Sequence, residues 1–214
     1  MKRILLILVL ISFCDVSLKA QSKPERGMWS LTPRIGVNWS RSTTNHILID
    51  MDDGKGIVPD WKSGIVAGFD VGYRYSPRFK TSAGLYYSNE GFKVGFKHGR
   101  DTESMKYMNL AITENFYLYK GLSLKAGLQT GYLLECKDQT ENPKTGLKQT
   151  DNDIDIFHRW NLSIPLGIAY EYGGLSLDLQ YNVGILQMYK HGGHNDPFRT
   201  RSIWLTLGYT FNFQ

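Results

Sequence analysis

Past the first twenty residues, apolar and polar positions alternate with a period of two through most of the chain. Over residues 29–40 the odd positions are Trp29, Leu31, Pro33, Ile35, Val37 and Trp39, and the even ones are Ser30, Thr32, Arg34, Gly36, Asn38 and Ser40. Only an extended strand puts two such sets on opposite faces. In residues 63–75 the same division sets Ile65, Ala67, Phe69, Val71, Tyr73 and Tyr75 against Val66, Gly68, Asp70, Gly72 and Arg74. It recurs over residues 79–90, 108–118, 122–134, 158–172, 175–187 and 202–213, which makes eight predicted strands.

The connections alternate in length. Residues 76–78, 119–121 and the pair Gly173-Gly174 are short enough for tight hairpins, the last suited to a two-residue primed turn. Residues 41–62, 91–107, 135–157 and 188–201 are long and polar, and read as loops. This asymmetry predicts an all-β fold, an eight-stranded antiparallel up-and-down transmembrane β-barrel with short periplasmic turns and long external loops.

A soluble barrel of the lipocalin type has the same strand pattern, and Gly27-Met28-Trp29 matches its short G-x-W feature. The size of the apolar face separates the two. A packed eight-stranded barrel holds roughly a dozen side chains inside, or one small ligand besides. The large side chains on the apolar faces far exceed that, so they must face lipid. The opposite face carries Gly and groups able to neutralise one another: Arg34, Asp70, Arg74, Lys125, Gln129, Arg159, Glu171, Asp178 and Gln180. These are expected to fill a narrow polar lumen.

Aromatic placement points the same way. With the tight turns at the bottom, Trp29, Tyr73, Tyr75, Phe79, Phe116, Tyr170, Tyr172, Phe211 and Phe213 fall near the lower strand ends. Trp39, Tyr87, Tyr132 and Trp160 fall near the upper ends. Two girdles separated by aliphatic residues suit rings at both membrane interfaces, with Tyr181 the exception.

The N-terminus adds an export signal. Lys2 and Arg3 precede an apolar stretch over residues 4–13, and Ala20 offers a small residue before a cut, so residues 1–20 read as a signal peptide and 21–214 as the barrel domain. Lipoprotein processing at Cys14 is the alternative, with Phe13 where a small residue is expected. Cleavage after Ala20 leaves Cys136 alone, with no intramolecular disulfide. The net charge of +5 over 214 residues, without a basic block, points away from nucleic acid.

The segments LSLKAGLQTGYLL (122–134), IPLGIAYEY (164–172), GLSLDLQYNVGI (174–185) and LTLGYTFNF (205–213) resemble the strand motifs of PorT-like outer-membrane barrels of Bacteroidetes, a likeness that covers the mature chain. It implies architecture, an outer-membrane location and assembly by the barrel-assembly machinery. It does not imply an activity, and Gln214 departs from the terminal aromatic usual in such barrels.

Candidate chemistry is sparse. Asp50, Asp52 and Asp53 with Gly54 miss the EF-hand spacing, and Asp151, Asp153 and Asp155 share one strand face that suits a cation or simply a solvated loop. His191 and His194 are too few for zinc. His158 near Asp155 is the best candidate base for a rim enzyme, with no obvious nucleophile beside it. No cofactor or metal is expected. The sequence therefore predicts a non-enzymatic barrel with a filled lumen, acting as a structural or interaction module through its loops. Its expected partners are outer-membrane lipid, lipopolysaccharide, the assembly machinery and a protein bound by the loops. A rim enzyme, a narrow channel and a soluble lipocalin-like barrel are the alternatives.

Overall fold

The computed structural model describes residues 27–43, 48–49, 56–57, 59–96, 99–141, 148–151, 154–190 and 198–213. Eight antiparallel strands follow one another around a closed barrel. They are β1 (Met28–Thr43), β2 (Asp60–Ser76), β3 (Phe79–Phe96), β4 (Gly99–Tyr119), β5 (Leu122–Glu141), β6 (Trp160–Tyr172), β7 (Leu175–Gly184) and β8 (Arg199–Tyr209), the last continued by Phe211–Phe213. Each pairs with its neighbour in the chain. β1 closes the ring on β8 through a register running from Arg34 opposite Gly208 to Thr43 opposite Arg199. Closure leaves no free edge.

The lower turns follow from their residues. Lys120 (φ 36°) and Gly121 (φ 87°), and likewise Gly173 (φ 57°) and Gly174 (φ 87°), have positive φ at both central positions. That is the two-residue primed turn whose twist matches the flanking strands. Pro77 and Arg78 join β2 to β3.

The apolar faces point outward. Ile35 is 69% exposed, Ile112 58% and Leu207 54%, whereas inward Thr32 is 1% and Asn38 0% exposed. A polar inside and an apolar outside make sense only where the solvent is lipid.

Above the upper aromatic positions the pattern inverts. The expected loop over residues 91–107 is mostly strand, since β3 and β4 stay paired up to Phe96 opposite Gly99. β5 likewise runs on past residue 134 and pairs with Lys148–Asp151. In these extensions Phe92, Val94, Met105, Tyr107, Leu133 and Cys136 point inward and are buried. The sequence reads as loop there because the apolar residues switch to the interior once the exterior is water. β7, in turn, ends at Gly184, short of the expected residue 187.

Candidate functional site: lumen, girdles and external cap

Strand parity alone brings a charged layer together in the lower lumen. Arg34 Nε donates to Asp70 Oδ2 at 2.6 Å, and its Nη1 lies 3.9 Å from Asp178 Oδ2. Lys125 Nζ meets Asp178 Oδ2 at 2.5 Å. The Tyr86 hydroxyl donates a short hydrogen bond to the other oxygen of Asp70. Lower down, Arg74 Nη2 lies 3.8 Å from Glu171 Oε2, which accepts from the Tyr117 hydroxyl at 2.9 Å, and the Arg74 guanidinium stacks 3.8 Å over the Tyr117 ring. Buried charges of this kind persist only when paired and hydrogen-bonded.

An amide layer lies above. Gln129 Nε2 donates to Asn109 Oδ1 at 3.3 Å, and Gln180 Nε2 donates to Asn182 Oδ1 at 2.7 Å and to Gln129 Oε1 at 3.4 Å. Asn109 Nδ2 donates to Ser88 Oγ at 2.9 Å, and Ser88 donates to Glu90 Oε1 at 3.0 Å. Lys62 Nζ donates to Asn89 Oδ1 and to the Glu90 carbonyl, each at 3.0 Å.

The interior also holds groups that the alternation pattern does not single out. Lys80, Lys62 and Glu90 are buried charges, and Tyr86 and Trp204 form an edge-to-face pair with centroids 5.6 Å apart. Glycines make this room: a Cβ on Gly84 would meet Asp70 Oδ1 and the Tyr86 ring, and one on Gly68 would meet Tyr86 Cδ1 at 2.6 Å. What remains between the charged residues is a cavity of about 10 Å³ lined by Arg34, Asp70, Lys80, Asn115, Lys125 and Glu171, among others. That is room for about one water.

Arg159 corrects an expectation. Its odd parity would turn it inward, but β6 begins only at Trp160, and Arg159 is exposed, with Nη1 3.4 Å from the Tyr132 hydroxyl. The Arg159 carbonyl still accepts from the Leu133 N–H at 2.7 Å, but the chain bends there, one residue before the first ladder pair, so parity no longer applies. His158 is exposed too, and its main-chain N–H donates to the Met188 carbonyl at 2.7 Å. Among the described residues its imidazole makes no hydrogen bond and no cluster of three or more His, Cys, Asp or Glu side chains forms a metal site. Asp50, Asp52, Asp53, Asp153, His191 and His194 lie outside the described residues. Asp151 pairs with Asp138 through the backbone ladder, and Asp155 is exposed.

The aromatic residues form ring contacts at both strand ends. Near the tight turns Trp29 meets Tyr73 (centroids 4.9 Å), Tyr75 meets Phe79 (6.0 Å), Phe79 meets Phe116 (5.1 Å) and Tyr209 meets Phe211 (4.9 Å). Tyr170 and Phe213 are exposed at the same end and Tyr172 is half-buried. At the other end Tyr132 meets Trp160 at 5.0 Å, with Trp39 exposed and Tyr87 half-buried. Just above them, on β4 and β5, Lys106 and Lys137 flank Glu135, whose carboxyl is held below the usual range by hydrogen bonds from Lys106 and then Lys137.

The mouth of the barrel is covered. Phe92, Val94, Met105, Tyr107, Leu133, Cys136, Phe157 and Met188 form one buried cluster, flanked by Ile154, Ile156, Tyr189 and Phe198. A short 3₁₀ turn (Ile154–Ile156) and a bridge between Phe157 and Tyr189 carry these residues over the lumen. The sequence does not show this apolar cap, since all of its buried members but Leu133 come from segments that read as polar loops.

A closed eight-stranded barrel with an apolar outer face, ringed by aromatics and with a polar interior, is an integral barrel of an outer membrane. The chain belongs to the outer membrane protein beta-barrel domain family, whose model matches residues 19–190. No match was found among curated protein sequences. Among solved structures it is similar to Ail, the attachment invasion locus protein of Yersinia pestis (15% identity, TM-score 0.50, covering 87% of this chain and 100% of that one). It is also similar to Neisserial surface protein A (12%, 0.45, 88% and 100%) and to OprG of Pseudomonas aeruginosa (12%, 0.42, 89% and 97%). At such identities the likeness is one of fold.

Proposed function

We propose that this outer-membrane barrel is a PorT-like, non-enzymatic structural or interaction module that presents its external segments to a protein partner. In this reading residues 1–20 are a signal peptide removed on export, residues 21–214 are the barrel domain, and the barrel-assembly machinery inserts it through its last strand. The lumen residues Arg34, Asp70, Arg74, Lys125, Gln129, Glu171, Asp178 and Gln180 act as a rigid filling. The girdle aromatics seat the barrel in lipid.

One observation carries the reading: the ladder does not stop at the membrane surface. From Tyr87 opposite Met108 to Phe96 opposite Gly99, β3 and β4 stay paired for nine further residues, a reach of about 30 Å along the strands. β5 and Lys148–Asp151 widen this blade. A stiff, sheet-based platform that stands in water, besides carrying the cap residues Phe92, Val94, Met105 and Tyr107, suits recognition by another protein.

The test is deletion of residues 140–149, which shortens the β5 hairpin above the cap. The expected result is a folded, heat-modifiable barrel that no longer cross-links to its partner in intact cells. Retained cross-linking and phenotype would overturn the reading. So would loss of a catalytic activity on His158→Ala with the deletion tolerated.

A further inference from the structure

Two observations coincide in the lower lumen. The first is a charge left over. Arg34, Arg74, Lys80 and Lys125 face Asp70, Glu171 and Asp178 there, and the three carboxylates are already engaged. Asp70 holds Arg34 and Tyr86, Asp178 holds Lys125, and Glu171 Oε2 takes Arg74 and the Tyr117 hydroxyl. Lys80 is left without a partner: it is 6% exposed, and among the described residues no carboxylate pairs with its ammonium group. Its stem packs on Gly72 of β2, where a Cβ would meet Lys80 Cε, so the side chain is committed to the interior. Arg34 Nη1 is a second open donor, buried and without a hydrogen-bond acceptor.

The second observation is the space beside them. The cavity of about 10 Å³ is lined by both Lys80 and Arg34, together with the hydroxyl side chains of Ser82, Thr113 and Ser176. Ser82 Oγ accepts from Asn115 Nδ2 at 3.2 Å, which leaves its own proton to donate. Register sets Lys80 and Lys125 on either side of Asn115, in one row across β3, β4 and β5, so two ammonium groups share one level of the lumen. Asp70 and Glu171 also border the cavity, with the engagements just given.

We propose that this cavity binds one monovalent anion of halide size, chloride being the abundant one, held by Lys80 and Arg34. A buried ammonium group without a counter-charge either sheds its proton or acquires an anion. Shedding the proton would leave Arg34 Nη1 still without an acceptor. A water would accept from both donors but leave four cations against three carboxylates. An anion meets both needs at once, and a space for about one water is too small for phosphate, sulfate or a carboxylic acid. The site is a dead end, closed above by the amide layer and the cap. It goes beyond the reading of the lumen as an inert filling and does not depend on the external segments.

The experiment uses the full mature chain in phosphatidylcholine vesicles and follows urea unfolding at fixed ionic strength as sodium chloride replaces sodium gluconate. One bound chloride makes the folding constant rise in proportion to chloride once the site is more than half filled, about tenfold for each tenfold of salt. Bromide should act as chloride does, and sulfate should not. Lys80→Met, which leaves three cations for three carboxylates, should abolish the dependence. Lys62→Met, which removes a buried lysine from the upper lumen, should keep it. Crystals grown from sodium bromide should show anomalous density between Lys80 Nζ and Arg34 Nη1, a readout that needs no variant. A wild-type chain indifferent to chloride, or a bromide map empty at that place, overturns the proposal and makes Lys80 a neutral amine. A dependence that survives Lys80→Met, or that sulfate reproduces, is general screening and overturns it too.

Discussion

Replacing Asp70 by Leu removes the carboxylate that holds the lower lumen together. Among the described residues of that layer, Arg34, Arg74, Lys80 and Lys125 share Asp70, Glu171 and Asp178, so the variant leaves four cations for two carboxylates. Arg34 loses its 2.6 Å partner and the Tyr86 hydroxyl loses its acceptor. Breaking a buried pair by removing one member costs about 3–5 kcal/mol. An orphaned buried hydroxyl adds about 1–3 kcal/mol. Asp178, already 3.9 Å from Arg34 Nη1, takes up part of the load, so the net loss is about 4 kcal/mol, roughly three decades in the unfolding equilibrium. The assay is equilibrium urea unfolding in phosphatidylcholine vesicles, read by gel mobility and tryptophan fluorescence. Arg34→Met/Asp70→Leu supplies the control on mechanism, because an apolar pair removes one cation with its carboxylate, so the layer keeps its original excess of one cation, and Asp178 keeps Lys125 at 2.5 Å. It should recover most of the loss. If the double variant is as unstable as the two single changes added together, or if Asp70→Leu differs from the exposed Asp155→Leu by less than about 0.5 kcal/mol, the pairing argument is wrong.

Gly84→Ala should destabilise the barrel by about 1–3 kcal/mol, because its Cβ meets Asp70 and Tyr86, whereas Gly95→Ala, with nothing within 4 Å, should stay within about 0.5 kcal/mol; the same urea titration checks both. The Cys136 thiol, 0% exposed in the cap, should resist maleimide in the native protein and react fully after unfolding. Phe157→Ser, which removes a buried ring from the cap, should speed that labelling without changing heat-modifiable migration, and an unchanged rate would mean the cap does not shield the thiol.

Much of the barrel was legible because lipid-facing strands carry their signal on one face: Trp29 to Trp39 alternate so regularly that parity alone assigns Arg34 and Asn38 inward and Ile35 and Val37 outward. The same logic explains the failures. Phe92, Val94, Met105 and Tyr107 belong to strands whose exterior is water, so their alternation runs with the opposite sign and reads as loop. Parity also says nothing of size, so the sequence carries no sign that rings as large as Tyr86 and Trp204 fit among the small polar side chains of the lumen. Room for the Tyr86 ring comes from Gly68 and Gly84 on paired strands, a relation between positions far apart in the chain. Arg159 fails for a third reason, one residue beyond the first ladder pair of β6.

Planar-bilayer recording of the purified, folded barrel tests the central claim most directly. A lumen crossed by a paired charged layer, with a cavity of about 10 Å³ among its side chains, beneath a buried apolar cluster offers ions no path, so the membrane should stay silent while gel mobility reports a folded barrel. Stable unitary conductance that changes with Arg34→Met or Asp178→Asn would mean the lumen is open, and would contradict the account.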